Sequence, residues 1–434
     1  MSQRWRCRFF VVACAAALVA RSASASDPAP AAAGDDASAL RVDDHPDVDA
    51  PLPGRVRALV IEGLVRTERS VVVRELQWFE GQSIDEHAWD LGLRRLWNTV
   101  LFSRIDTRRV AVEPGLFDVL VSVDENFTLY PSFSGVATDD VLWFRTGVSE
   151  TNLGGRYREL SVHYEQFNDA IGGQVAFRNP RLFDERRELY VAAARVARPR
   201  PTFTLLRTLA RVDLSELHHD DRLRVGLRLE GGFDDYTSAI DGTQQPQPSN
   251  AYGTLGASVR LGRVDRTRLE YEGESVELAT NASYTPGPSG FFPSVLSDAR
   301  VFRRLPGRIN VAVRGLAAAT AASTDNFRLY VGGLETVRGY PDSYANGASY
   351  VATNAELRWS ALDWRYFVVM PTVFVDAALV GHEHAGHRRL VSVGAGVRFL
   401  LPTFAAAGVR ADVAMPLTDG FGPSLSVGAY QFFF

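Results

Sequence analysis

From about residue 126 to Phe434 the chain repeats one pattern, apolar and polar residues alternating through short segments, and no apolar run after residue 25 is long enough for a spanning helix. Period two is the signature of a strand, and a segment of about ten residues is what a tilted strand needs to cross a bilayer. In Val391 to Phe399, the residues Val391, Val393, Ala395, Val397 and Phe399 fall on one face, and Ser392, Gly394, Gly396 and Arg398 on the other. Leu223, Val225, Leu227 and Leu229 alternate in the same way with Arg224, Gly226, Arg228 and Glu230. About sixteen antiparallel strands are predicted. They start near Phe127, Leu142, Arg156, Ile171, Arg187, Thr202, Arg222, Ala251, Thr267, Phe292, Arg308, Ala348, Phe367, Arg388, Ala405 and Ser424. Lipid satisfies no backbone hydrogen bond, so strands that span it must close on themselves. The pattern therefore predicts an all-β transmembrane barrel over residues 126–434. A mean hydropathy of −0.08 with 23% charged residues does not oppose this, because lumen-facing and lipid-facing residues average out.

The first 25 residues read as a secretory signal peptide. Arg4, Arg6 and Arg8 precede an apolar core from Phe9 to Ala20, and Ala23-Ser24-Ala25 offers a small-residue cleavage site. Val11-Val12-Ala13-Cys14 faintly resembles a lipobox, but most of the apolar core lies after Cys14. Both cysteines, Cys7 and Cys14, fall inside this segment, so the mature chain is expected to have no disulfide, thiolate nucleophile or cysteine-ligated metal. Its removal takes away four Arg and no acid, which moves the formal charge from −4 to −8. Residues 26–54, rich in Asp, Ala and Pro, lack the apolar side chains that would offset ordering and read as an acidic disordered linker. Every basic residue is Arg; the basic side chains form no cluster, so nucleic acid is not an expected partner.

Residues 55–125 predict a small α+β unit in the order β-α-α-β-β. Val56 to Ile61 is a short strand run, Thr67 is a candidate N-cap for a helix that Gly81 ends, and Ser83-Ile84-Asp85-Glu86 has capping-box spacing. Ile84, Ala88 and Leu91 share a face of the second helix, to about Thr99. Two alternating runs, Phe102 to Val112 and Leu116 to Val123, flank the turn dipeptide Pro114-Gly115. Gly63, Gly81, Leu96, Thr99, Phe102 and Ile105 in this order resemble a POTRA domain, with Val100 where that family usually has Gly. The resemblance implies that the unit lies in the periplasm and binds unfolded chains by strand addition; the strand around Val119 and Val121 is the contact to test.

Within the eleventh connection stands Gly332-Gly333-Leu334-Glu335-Thr336-Val337-Arg338-Gly339-Tyr340. Its core, Val337, Arg338, Gly339 and Tyr340, is similar to the loop motif of the BamA/TamA-type assembly and translocation proteins. That resemblance implies a loop folded into the barrel, with Arg338 meeting acids on the inner wall. Alternation supplies two candidates. Val351, Ala355, Leu357 and Trp359 share one face, leaving Asn354, Glu356 and Arg358 on the other, and Val373, Val375, Ala377 and Leu379 leave Asp376 opposite. Arg338 could bind one carboxylate or bridge both through its planar donors. The lumen around them is expected to be wet.

Loop lengths orient the barrel. Long connections at Asp234 to Asn250, Asn281 to Gly290 and Ala321 to Gly347 are expected outside the cell, with short turns at Gly262-Arg263 and Pro306-Gly307 in the periplasm. Pro131 in the first strand cannot donate a ladder bond, and with Gly428 in the last it marks the expected seam. Tyr430, Phe432 and Phe434 place aromatics at alternate positions of the ending, which resembles the recognition signal of bacterial outer-membrane barrels. His382-Glu383-His384-Ala385-Gly386-His387 fails the spacing of a zinc-binding H-E-x-x-H helix, so neither metal nor cofactor is expected, and no nucleophile, base and acid arrangement supports an enzyme. The resemblance implies insertion or translocation of polypeptides at the bacterial outer membrane, with lipid, nascent clients and possible accessory assembly proteins as partners. A passive pore or structural barrel that kept the fold is the alternative reading.

Overall fold

The computed structural model describes residues 49–137, 142–167, 170–200, 203–239, 249–267, 270–364, 366–382, 386–404 and 407–429. The signal segment, most of the acidic linker, Glu383–Ala385 and the terminal Tyr430, Phe432 and Phe434 lie outside them. A four-stranded sheet comes first. It is built from β1 (Gly54–Glu62), β2 (Ser83–Ile84), β3 (Phe102–Glu113) and β4 (Leu116–Glu125), with helices α1 (Arg69–Leu76) and α2 (Glu86–Asn98) between β1 and β3. The spatial order is β2-β1-β4-β3, with β1 parallel to β4. The helices and sheet enclose a core that includes Val56, Val72, Leu76, Ile84, Leu96, Phe117 and Val121. Trp78 stacks on Trp89 with ring centroids 4.0 Å apart. Gly92 in α2 makes this packing possible: a Cβ there would lie 2.6 Å from the Leu76 carbonyl oxygen and 2.7 Å from the Trp78 indole nitrogen.

Several local expectations are corrected. Helix α1 ends at Leu76 with Gln77 in the left-handed region, well before Gly81, and its N-cap is Glu68, which makes no side-chain cap. Thr67 is drawn instead into the contact with the barrel, its hydroxyl accepting from Asn152 Nδ2 at 2.9 Å. Helix α2 is capped by Asp85, which accepts from the Ala88 N–H at 2.8 Å; Ser83 pairs with Arg55 in β2. Asp85, two residues further on, caps the helix in place of the predicted box. Val119 and Val121 are fully buried in β4, which is paired on both sides, so strand addition there is blocked. The long edge strand is β3. Part of its edge is covered by Asp49 and Ala50, residues read as linker: Ala50 N–H donates to Arg109 O and Arg109 N–H to Asp49 Oδ1, both at 2.9 Å. Val100 adopts φ +58°, the conformation its resemblance assigns to Gly, and a β-branched residue is strained there.

The rest is a closed antiparallel barrel. Its first seven strands are β5 (Leu129–Ala137), β6 (Leu142–Glu150), β7 (Glu159–Phe167), β8 (Ala170–Asn179), β9 (Arg187–Pro199), β10 (Phe203–His218) and β11 (Leu223–Ala239). Then come β12 (Asn250–Thr267), β13 (Glu270–Thr285), β14 (Gly290–Leu305) and β15 (Ile309–Thr320). A two-stranded hairpin, β16 (Leu329–Val331) with β17 (Ala345–Gly347), sits inside the next loop and outside the wall. The wall resumes with β18 (Ser349–Trp359), the short β19 (Leu362–Asp363), β20 (Val368–His382), β21 (Gly386–Leu401), β22 (Ala407–Pro416) and β23 (Ser424–Ala429). Counted without β19, these make the expected sixteen. Burial along β18 alternates at every residue, with Val351, Leu357 and Trp359 exposed and Asn354, Glu356 and Arg358 buried.

Strand length departs from the expected ten residues. Strands β10 to β14 run to between 16 and 18 residues, whereas β5, β6 and β7 have 9 and β23 has 6. Eighteen residues reach about 60 Å, far beyond the roughly 30 Å hydrocarbon core even when tilted. The wall is therefore tall along β10 to β14. Three expected connections belong at least in part to this tall wall: Asp234 to Ala239 is part of β11, Asn281 to Thr285 is part of β13, and Gly262-Arg263 lies within β12. Pro306-Gly307 does form the turn between β14 and β15.

The small domain packs on the strand ends that carry the connections β6–β7, β8–β9 and β10–β11. Tyr157 from the first of these inserts into the small domain's own core, and burial pushes its phenol up to about 12. Glu75 meets Arg181 at 2.6 Å, Arg95 meets Asp221 at 3.0 Å and Asn98 meets Asp265 at 2.9 Å. Strand β5 starts at this end, so the loop from Ala321 to Ala348 lies at the other.

Candidate functional site

The loop 321–348 turns inward on the β16–β17 hairpin, and its tip carries Val337 to Tyr340. Gly339 has φ +95°, and a Cβ there would come within 3.2 Å of Ala414 and Pro416 on β22, so only Gly lets the tip lie this close to the wall. Val337 is fully buried among Leu316, Val331, Ala352 and Leu390. The Tyr340 hydroxyl donates to the Val391 carbonyl at 2.9 Å and lies 2.6 Å from Thr418 Oγ1, while its ring stacks on Tyr344. These contacts fix the tip on both sides of Arg338.

Arg338 is 1% exposed. Its Nε and Nη2 donate to the two oxygens of Asp376 at 2.7 and 2.9 Å, and its backbone N–H reaches the same carboxylate at 3.2 Å. Its Nη1 donates to Glu356 at 2.6 Å. The guanidinium thus bridges both acids, fork on fork with Asp376. Its plane also lies over Phe374, 3.4 Å from the ring centroid, a cation–π contact that desolvation strengthens. Asn354 donates to Asp376 at 2.9 Å and to the Thr336 carbonyl at 2.7 Å, tying acid and loop together.

The wall extends the cluster beyond the residues that sequence pattern singled out. Glu356 also accepts from Arg358 at 2.7 Å and from Arg398 at 3.2 Å, and Arg398 binds Asp412. Asp412 lies 3.7 Å from Arg338 Nη1. All six side chains are completely shielded from solvent, which corrects the expected wet site. The loop tip is itself the cover. Alternation on β22 would have flagged Arg410 and Asp412 as inward-facing, but pairing them with a loop seventy residues earlier needs the register of four strands.

At the seam, Val427 of β23 pairs with Gly135 of β5 and closes the barrel. Pro131 lies opposite Val148 of β6, nearer the small domain, and Gly428 pairs with Arg410 of β22, where a Cβ would come 2.9 Å from its guanidinium. The two residues are not brought together. Among the described residues no group of three or more His, Cys, Asp or Glu side chains is placed to hold a metal ion.

No protein-family model matches the sequence, and no curated protein does. Solved structures do match in shape. CdiB from Escherichia coli aligns with a TM-score of 0.59 at 12% identity over 87% of this chain and 77% of that one. CdiB from Acinetobacter baumannii gives 0.54 at 13% over 87% and 73%. BamA from Haemophilus ducreyi lacking POTRA domains 1–3 gives 0.52 at 16% over 86% and 84%. At these identities the likeness is one of fold. It extends over most of this chain, a closed β-barrel preceded by a small α+β domain.

Proposed function

We propose that this chain inserts or translocates polypeptides at the bacterial outer membrane, with the small domain in the periplasm and the loop 321–348 at the cell-surface end. The observation that supports this most is a lumen crossed by a loop anchored through Arg338, in a barrel whose first and last strands meet at β5 and β23. A blocked axis leaves the wall as the way out for a client strand, and β5, once parted from β23, would offer it backbone hydrogen bonds. Clients would first meet the part of the β3 edge that Asp49 and Ala50 leave open, around Ile105 and Thr107. The fold likeness to BamA and CdiB is compatible with this class of work but does not choose among its members.

The test is photo-crosslinking in cells from Phe133 of β5 and Thr107 of β3. Nascent outer-membrane barrels or secreted chains are expected at both positions. A passive pore is the second reading, favoured by the half-exposed ion pairs that line β7 to β15. Absence of polypeptide adducts, together with a large steady conductance of the purified chain, would decide for the pore.

A further inference from the structure

The loop is held at a second place that the Val337–Tyr340 motif does not include. Its first limb, before the β16–β17 hairpin, carries Asn326 and Phe327. Asn326 Nδ2 donates to Asp234 Oδ2 at 2.9 Å. Asp234 is fully buried on β11 and takes a fork from Arg207, directly across on β10, with both bonds at 2.7 Å. Arg207 lies between two rings, Tyr252 at 4.6 Å and Phe327 at 4.9 Å. Phe327 in turn packs on Phe292 at 4.9 Å and Tyr252 at 5.4 Å.

These wall residues belong to β10, β11, β12 and β14, whereas the Arg338 cluster belongs to β18, β20, β21 and β22. The loop therefore touches two distinct arcs of the barrel, with β15 between them. Next to the first arc, Arg200 at the end of β9 donates to Ser343 at 3.0 Å and stacks on Tyr330 of the hairpin at 3.7 Å.

We propose that Arg207, Asp234, Asn326 and Phe327 form a second anchor, making the loop a bridge fixed at both walls rather than a flap hung on Arg338. The consequence is kinetic as well as structural. When one anchor opens, the other keeps the freed segment near its seat, and reclosure is intramolecular. Loss of Arg338 alone then leaves the lumen obstructed, and the two anchors act as a pair of locks of which either suffices.

Ion conductance of the purified full chain in planar bilayers reads this without any client. Wild type, Arg338→Ala, Asn326→Ala with Phe327→Ala, and all three together are compared with a chain lacking residues 323–346. Each anchor variant should raise conductance by less than about twofold, and the combination should approach the loop-deleted value, because only loss of both tethers frees the segment. Full opening by Arg338→Ala alone would overturn the proposal, as would a combined variant no leakier than Arg338→Ala. A second measurement covers the case of poor folding. In Arg338→Ala, with Cys7 and Cys14 changed to Ala, Phe292→Cys and Phe327→Cys are joined by a short bifunctional thiol reagent. Joining should hold conductance at the wild-type level; if the joined chain conducts like the loop-deleted one, the second anchor has no part in closing the lumen.

Discussion

The Arg338 cluster and the ladder of ion pairs on β7 to β15 use the same side chains inside the same barrel, yet one is dry and the other half wet. In the ladder, Arg178 spans Glu159 and Glu188 at 2.7 and 2.8 Å with 34% of its side chain exposed, and Arg228 meets Asp213 at 2.9 Å with 36% exposed. Distances are no longer than in the cluster. What differs is the loop tip, which covers one wall and not the other. A guanidinium and a carboxylate that water can reach exchange one good environment for another, so such pairs add little. Shielded pairs stand on a large desolvation cost, and losing one partner strands the other.

The largest expected effect follows from this. Arg338→Ala should cost about 3 to 5 kcal/mol, because it leaves Asp376 and Glu356 buried with fewer partners. Arg338→Lys should recover only part, since an ammonium cannot span two acids with a planar fork. A double-mutant cycle on barrel thermal stability with Asp376→Asn should show strong coupling; Glu356→Gln is less clean, because Glu356 also serves Arg358 and Arg398. Additive effects in both cycles would remove the distinction between the two walls.

On the ladder, Arg228→Ala should cost below about 1 kcal/mol, by the same melting measurement. Its cost should shrink further in high salt, which screens exposed charges, while that of Arg338→Ala should hardly change. Equal salt sensitivity at the two sites would mean that the cluster is wetter than its geometry.

How much of this was legible from sequence depends on which interaction sets each feature. Side-chain period two is intrinsic to a strand, so strand number and starts could be read, the largest misses being three residues at Glu159 and Glu270. Strand ends were harder. Asp234 to Ala239 and Asn281 to Thr285 read as connections, but cross-strand pairing carries the ladder through them. Helix caps failed because Thr67 and Ser83 were claimed by the barrel contact and by β2. Glu356 and Asp376 could be placed inward from alternation alone, and the loop motif pointed Arg338 at them. Asp412, Arg207 and Asn326 were out of reach, because their partners lie 74, 27 and 92 residues away through strand register and loop path.

Exposed pairs at the small domain extend the comparison to its weak end. Glu68 is held below the usual carboxylate range by its hydrogen bond from Arg156, and Asp220 likewise by His87, both in contacts between the small domain and the barrel. A carboxylate with a depressed folded pKa stabilises the contact above its unfolded value and loses that contribution as the pH falls through the folded one. For Glu68 and Asp220 the window therefore opens on the acid side of 4.5 and 3.8. The expected outcome is slight loosening of the small domain in acid, seen as faster proteolysis near Arg156 in the full chain. Glu68→Gln should remove most of the acid dependence while changing little at neutral pH. An unchanged acid response in Glu68→Gln would place the sensitivity at Asp220 instead, and the Glu68–Arg156 pair would then have no part in holding the small domain to the barrel.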